Sequence, residues 1–296
     1  MKLTTLTPLT AIFAILPSAA AWGSLGHETV AYIASNFVAA QTKNVFQTLL
    51  HNETSSYLAS VATWADSFRY TQAGRFSAPF HYIDAEDNPP TSCGVTYSRD
   101  CGAKGCVVGA IQNYTSQLLD TTLDATSRNM AAKFIIHFVG DLHQPLHDEA
   151  LNIGGNGVQV TFGGVKTNLH HVWDTNIPEK LIGGYSLADA EKWADALTIA
   201  IESGIYRSQA ATWLDGVSLA DPVTTTLKWA TEANAFVCTA VLPNGVDALT
   251  NQELNGTYYQ TAIPVVQIQI ARAGYRLARW LDLIAQAVTA EGKPDL

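Results

Sequence analysis

Apolar residues recur at three- and four-residue steps over five long stretches of the chain, and this helical period dominates the sequence. The stretches cover residues 26–38, 126–142, 187–203, 222–241 and 263–288. In the last, Val265, Val266, Ile268, Ile270, Leu277 and Leu281 spread over a broad face, as a helix buried in a bundle requires. Two short runs, 158–162 and 165–167, flank Gly163 and Gly164 and predict one β-hairpin. Residues 84–109 hold prolines, glycines and three of the four cysteines, and read as a stapled loop. No repeat, low-complexity tract or linker interrupts the pattern. The expected fold is mainly α: a single helical-bundle domain over residues 22–296, with a short hairpin.

The first 21 residues stand apart from that domain. Lys2 is followed by a mostly apolar run at 9–16, then Pro17 and small residues. Ala19 and Ala21 occupy the −3 and −1 positions of an Ala-x-Ala cleavage site, so residues 1–21 read as a secretory signal and the mature chain begins at Trp22. The apolar run is too short for a membrane span. The expectation is a secreted product with no membrane association, and a monomer, since no apolar stripe is left over for a partner. Cys93, Cys101, Cys106 and Cys238 suit an oxidising compartment, where four cysteines allow three pairings. No Cys-x-x-Cys pair is present to suggest a zinc-thiolate site. Asn52, Asn113 and Asn255 lie in glycosylation sequons, with Asn113 the favoured one.

The formal net charge of −9 argues against a basic groove that tracks a polyanion. The objection weakens if acidic groups are metal ligands, because each bound divalent cation returns two positive charges where a phosphate would sit. Histidine and aspartate do cluster in that way. His137 and Asp141 lie one helical turn apart, Pro145 then breaks the helix, and His147 is freed to point elsewhere. The same four-residue step recurs at His170 and Asp174. A lone histidine on an apolar helix is usually a satisfied core residue. Two His/Asp pairs on apolar helices are different, because several unpaired buried polar groups cost a few kcal/mol each and a cation compensates them. Imidazole and carboxylate without thiolate favour Zn²⁺ over Mn²⁺ or Fe²⁺. At the mature N-terminus a freed Trp22 amine and carbonyl could chelate with His27, although Trp22 could equally anchor the first helix and His27 sit near its cap.

Six motifs occur in order: Trp22-Gly-x-x-Gly-His27, Trp64-Ala-Asp66, Phe80-His81-Tyr82-Ile83-Asp84, His137-x-x-x-Asp141, Gln144-Pro-Leu-His147-Asp148-Glu149 and Asn168-Leu-His170-x-x-Trp173-Asp174. Together they resemble the fungal secreted zinc-dependent single-strand nucleases of the S1/P1 type, over essentially the whole mature chain. The resemblance implies the trinuclear zinc fold shared by those nucleases and phospholipase C, with disulfides Cys93–Cys238 and Cys101–Cys106. It implies one zinc on Asp66, His81, His137 and Asp141. A second would sit on the Trp22 amine and carbonyl, His27 and a bridging Asp141, and a third on His147, His170 and Asp174. Two zinc ions about 3.5–4 Å apart can clamp a phosphate for in-line displacement and lower the pKa of a shared water toward ~7. Asp66 and Asp141 would thus serve catalysis as ligands, and Arg69, matching a phosphate-contacting arginine, would neutralise charge on the phosphoryl oxygens.

The implied activity is hydrolysis of single-stranded DNA and RNA to 5′-mononucleotides, together with 3′-nucleotidase action on 3′-nucleotides. Tyr82 and Ile153 would sandwich a base and Asp84 would bond its edge, a slot closed to paired bases. Tyr82 stands where phenylalanine is usual and Ile153 where valine is common, which leaves stacking intact and base preference open. His143 and His171 read as histidines beside the ligand sets or facing solvent. The alternative enzyme is a zinc-dependent phospholipase C-like phosphodiesterase, against which the Tyr82-Ile83-Asp84 segment speaks. A metal-storing or adhesive protein is the alternative outside enzymes, and the complete ligand set speaks against it.

Overall fold

The computed structural model describes residues 22–290, so the expected signal at 1–21 lies outside the described residues. Helices α1 (Ser24–Phe37), α2 (Ala40–Leu50) and α3 (Trp64–Phe68) open the chain. A 3₁₀ run, Arg75–His81, leads through an extended segment to α4 (Tyr97–Asp100), α5 (Val107–Leu119) and α6 (Ala125–Asp141). After a short turn at Pro145–Asp148, strands β1 (Gln159–Phe162) and β2 (Val165–Asn168) pair antiparallel, Gln159 opposite Asn168 and Phe162 opposite Val165. Helix α7 (Leu169–His171) passes through a π-type turn, Val172–Asn176, into α8 (Ile177–Ile182). Helices α9 (Leu187–Glu202), α10 (Arg207–Ala210), α11 (Pro222–Phe236) and α12 (Thr257–Ala290) complete the bundle.

All five expected helices and the hairpin are present, with ends shifted by a few residues. The expected 222–241 helix widens into a π-type turn at Val237–Val241, and α12 starts six residues before the expected 263. Helix α1 lies between α12 and α9, and α6 packs on α5, α12 and α2. Gly274 of α12 lets α1 approach closely, for a Cβ there would stand 2.4 Å from the Ile33 Cβ. The core is rich in tryptophan; Trp22, Trp173, Trp229 and Trp280 are all fully buried.

The stapled loop carries both disulfides, Cys93–Cys238 to the π-type turn after α11 and Cys101–Cys106 within itself. It is not wholly irregular: α4 and the start of α5 lie inside it. The Asp100 carboxylate organises it by accepting from the backbone N–H groups of Thr96 and Glu86 and from Arg99. Among the described residues no helix is long and apolar enough to cross a membrane.

Candidate metal centre

Three groups of histidine and aspartate converge at one end of the bundle: His27, His137 and Asp141; Asp66, His81 and His137; and His147, His170 and Asp174. The local sequence explains the placement. Helix α6 presents His137 and Asp141 one turn apart, and α1 brings His27 across them, its ring stacked on His137 at 3.9 Å. Gly140 makes that crossing possible, since a Cβ there would lie 2.8 Å from His27 Nδ1. The extended segment after the 3₁₀ run alternates inward and outward: His81, Ile83 and Ala85 are buried while Tyr82 and Asp84 are exposed. Helix α6 ends at Asp141, and Pro145 starts the turn that swings His147 to a different group from His137. The two segments lock together, because Ile83 N–H donates to the His147 carbonyl at 2.9 Å and His147 Nδ1 donates to the His81 carbonyl at 2.7 Å.

Asp141 is the hub. It is fully buried, and its carboxylate oxygens stand 3.2 Å from His27 Nε2, 3.1 Å from His81 Nδ1 and 3.2 Å from His137 Nε2. Asp66 Oδ1 approaches His137 Nε2 at 3.6 Å and His81 Nδ1 at 3.8 Å. Burial lowers the pKa of His27, aided by the neighbouring His137, and drops His81 to about 4 against the pull of Asp141. For His137 burial is outweighed by the Asp141 and Asp66 carboxylates, which raise it to about 9.

Tautomer geometry tests whether a cation fits. His147 Nδ1–H donates to a carbonyl, and His170 Nδ1–H donates to Gly154 O at 2.6 Å, which leaves both Nε2 atoms as lone pairs when the rings are neutral. Those two Nε2 atoms face each other at 3.1 Å, with Asp174 Oδ2 3.1 Å from that of His170. Likewise His137 Nδ1–H donates to Ala62 O at 2.6 Å while its Nε2 stands 3.1 Å from His81 Nδ1. The His147 and His170 lone pairs, turned on one another beside Asp174, suit a shared cation. The buried oxygens Asp66 Oδ1, Asp141 Oδ1 and Asp174 Oδ2 also lack a hydrogen-bond donor. The outward nitrogens of His137, His147 and His170 are each fixed by a carbonyl, as expected for metal-ligating imidazole, whereas His27 Nδ1 and His81 Nε2 are buried without a partner.

A cleft of about 700 Å³ opens on the third cluster, lined by Arg69, Tyr82, Asp84, His147, Ile153 and His170 among others. Arg69 follows the last residue of α3, and its guanidinium lies 3.5 Å from Asp66 with little exposure, so it is not a free surface arginine. Tyr82 is 39% and Ile153 78% exposed at the cleft. Ile153 has a left-handed φ of 60° between Asn152 at 50° and Gly154 at 57°, a strained conformation for a β-branched residue. Burial and the Glu86 and Asp100 carboxylates raise the Asp84 pKa.

The family described as S1/P1 Nuclease matches residues 22–286. The chain belongs to the S1/P1 nuclease family. It is 55% identical over 264 residues to Nuclease S1 of Aspergillus oryzae, covering 89% of this chain and 92% of that one. Nuclease P1 of Penicillium citrinum is 51% identical over 263 residues, covering 89% and 97%. Endonuclease 2 of Arabidopsis thaliana is 33% identical over 291 residues, covering 90% and 92%. A solved alpha-toxin of Clostridium perfringens aligns at 11% identity and a TM-score of 0.47, over 94% of this chain and 66% of that one, too weak a likeness to carry an argument.

Several side chains that hold this S1/P1 site together were not legible as such. His143, expected beside the ligands or facing solvent, is fully buried and turned toward α12. Its Nδ1–H donates to Val139 O at 2.7 Å and its Nε2 accepts from Arg276 Nη1 at 3.1 Å; burial and that guanidinium hold its pKa well below the usual histidine range. Arg276 is itself buried, donating to Trp213 O and to the Glu232 carboxylate, while Gln269 Nε2 donates to the His143 carbonyl at 2.9 Å. Gln144 bridges the groups, its amide donating to Asp174 and its carbonyl accepting from Leu146 N–H. Trp22 is fully buried, and Gly23 N–H donates to the Asp174 carbonyl at 2.8 Å, tying the start of α1 to the third cluster. His171 is half-buried and lies on the hairpin side, away from the clusters.

Proposed function

We propose that this chain is a secreted, zinc-dependent endonuclease that hydrolyses single-stranded DNA and RNA to 5′-mononucleotides and also removes the phosphate of 3′-nucleotides. The observation that carries the reading is the convergence of imidazole nitrogens and donor-less carboxylates on three points, the third of which lines a cleft with an exposed aromatic face. The nitrogen and oxygen donor set without thiolate suits Zn²⁺. Three ions are proposed: one on Asp66, His81, His137 and Asp141, one on Trp22, His27 and Asp141, and one on His147, His170 and Asp174. The Trp22 contribution needs a free amine, and so removal of residues 1–21. When bound, the metals supply Lewis-acid charge and lower the pKa of water in the site.

The chain's own groups do the rest. Asp141 holds two of the three donor sets in register because its oxygens face three histidines at once. Arg69 is placed to offset charge that grows on the phosphoryl oxygens. Tyr82 offers a ring and Ile153 an apolar cap between which one base stacks, and Asp84 bonds the base edge. Stacking contributes about 1–3 kcal/mol with any base, and a paired base cannot enter, which gives single-strand preference. The exposed Asp84 carboxylate at the mouth disfavours a phospholipid.

A single domain over 22–296, monomeric and exported, completes the reading. Supporting it are the two disulfides and the sequon Asn113, exposed on α5; Asn52 and Asn255 are half-buried sequons. The test is digestion of single-stranded and duplex DNA by the mature protein with zinc. Rapid conversion of the single strand to 5′-mononucleotides with the duplex spared is expected. Equal attack on both removes the base slot, and no cleavage removes the nuclease reading.

A further inference from the structure

A second cleft, of about 490 Å³, lies beside the first and contains none of the metal-cluster residues. Its walls are Arg75, Phe76, Ala78, Pro79, Tyr82 and Lys104. It is continuous with the main cleft, since Arg75, Ala78 and Tyr82 line both. Phe76 is 50% exposed, yet its ring is held from behind by Phe68 at 6.2 Å and Phe80 at 6.0 Å. That makes it a rigid aromatic surface open on one side. Arg75 and Lys104 are exposed, and among the described residues neither is engaged in an ion pair or side-chain hydrogen bond. In a chain of net charge −9, two uncommitted cations around a fixed aromatic ring, next to a cleft for phosphate, are not a generic surface.

We propose that this cleft is a second nucleotide subsite, which binds a neighbouring nucleotide of the same single strand while the first base occupies the Tyr82 slot. Phe76 stacks the base, and Arg75 with Lys104 contacts the intervening phosphate. This is the combination by which single strands are held without sequence preference: an aromatic platform and a short electropositive path. Lys104 sits in the short loop closed by the Cys101–Cys106 disulfide and Arg75 at the start of the 3₁₀ run that ends at His81, so both cations are mounted on constrained backbone. The subsite lengthens the footprint beyond one nucleotide and offsets, locally, the acidic charge of the chain. The inference rests on the nuclease reading above.

The test compares the mature, zinc-loaded protein with its Phe76→Ala/Lys104→Glu variant, which leaves the main-cleft residue Arg75 in place, on 3′-thymidylate and on an eight-residue oligothymidylate. Lys104 is exposed, so a Lys104→Glu variant alone checks the charge contribution without touching the aromatic packing. The oligonucleotide KM is expected to rise about 10-fold with kcat unchanged, while kinetics on 3′-thymidylate, which needs only the metals and the first slot, stay as they were. The dependence of log(kcat/KM) for the oligonucleotide on log salt should flatten by about 0.7 for each phosphate contact removed. An oligonucleotide KM within twofold of the parent overturns the subsite and leaves the nuclease intact. Failure of the parent protein itself to cleave either substrate overturns the nuclease reading, and the subsite with it.

Discussion

Replacing Gly140 with alanine separates the stability of α6 from the placement of His27. The added Cβ would stand 2.8 Å from His27 Nδ1 and 3.0 Å from its Cε1, whereas ordinary contact is about 3.4–4 Å. The ring must therefore retreat by roughly 0.5–1 Å. It has little freedom, because it is stacked on His137 at 3.9 Å and sits 3.2 Å from Asp141. Alanine is favoured over glycine inside a helix by about 1 kcal/mol, and overpacking costs about 1–3 kcal/mol. The two nearly offset each other, so Gly140→Ala loses no more than about 2 kcal/mol of stability.

The effect on function is larger than the effect on folding. A ligand displaced by close to 1 Å loses its alignment, and misplacements of that size cost on the order of 100-fold in rate. Metal per chain by mass spectrometry, the melting temperature and kcat/KM on single-stranded DNA measure the three consequences separately. The expected outcome is a small change in melting, loss of metal from the His27 position and a fall in kcat/KM of about 100-fold. Gly274→Ala is the control: its Cβ meets Ile33 at 2.4 Å and Val30 O at 3.0 Å, between α12 and α1, so it should lower the melting temperature more than Gly140→Ala does. Full metal content and full activity in Gly140→Ala would refute the claim that this glycine positions His27.

Three further outcomes are expected. Asp141→Ala should abolish turnover, since one carboxylate serves three histidines and two proposed metals; near-normal kcat would remove the bridged arrangement. Ile153→Gly should stabilise the protein by roughly 0.5–1 kcal/mol, because a left-handed residue with a Cβ costs about 1–2 kcal/mol and glycine gives part of that back through the entropy of the unfolded chain. The same variant should raise KM for single-stranded substrates, and a lower melting temperature would contradict the strain argument. Arg276→Met should destabilise by about 1–3 kcal/mol in denaturant titration, as leaving buried hydrogen-bond acceptors unsatisfied does. It strips His143 Nε2 of its donor and leaves Glu232, whose side chain is 33% exposed, to water; a change under 1 kcal/mol would mean that the network is not structural.

What could be read from the sequence is what the helical period writes locally. His137 with Asp141 and His170 with Asp174 are each four residues apart, so period and residue type together disclose them. Helices α2 and α5 lie outside the stretches of clear helical period, for identifiable reasons. Helix α2 is largely polar and buries only Thr42, Phe46, Leu49 and Leu50, while α5 begins directly at a disulfide cysteine and contains Gly109. The supporting residues are hidden for another reason: they act across the chain. Arg276 meets His143 over 133 positions, and Gly140 matters only because α1 crosses α6 at that point. Ile153 gives no sign of its left-handed backbone beyond the two glycines that follow it. Ligands are set by local spacing because one helix or turn must present them together. Their precision is set by long-range packing, since a carboxylate that faces three histidines at 3.1–3.2 Å can be held there only by elements fixed against one another. Substitutions at Gly140 and Arg276 therefore probe the site as directly as substitution of a ligand does, though neither position carries a ligand atom.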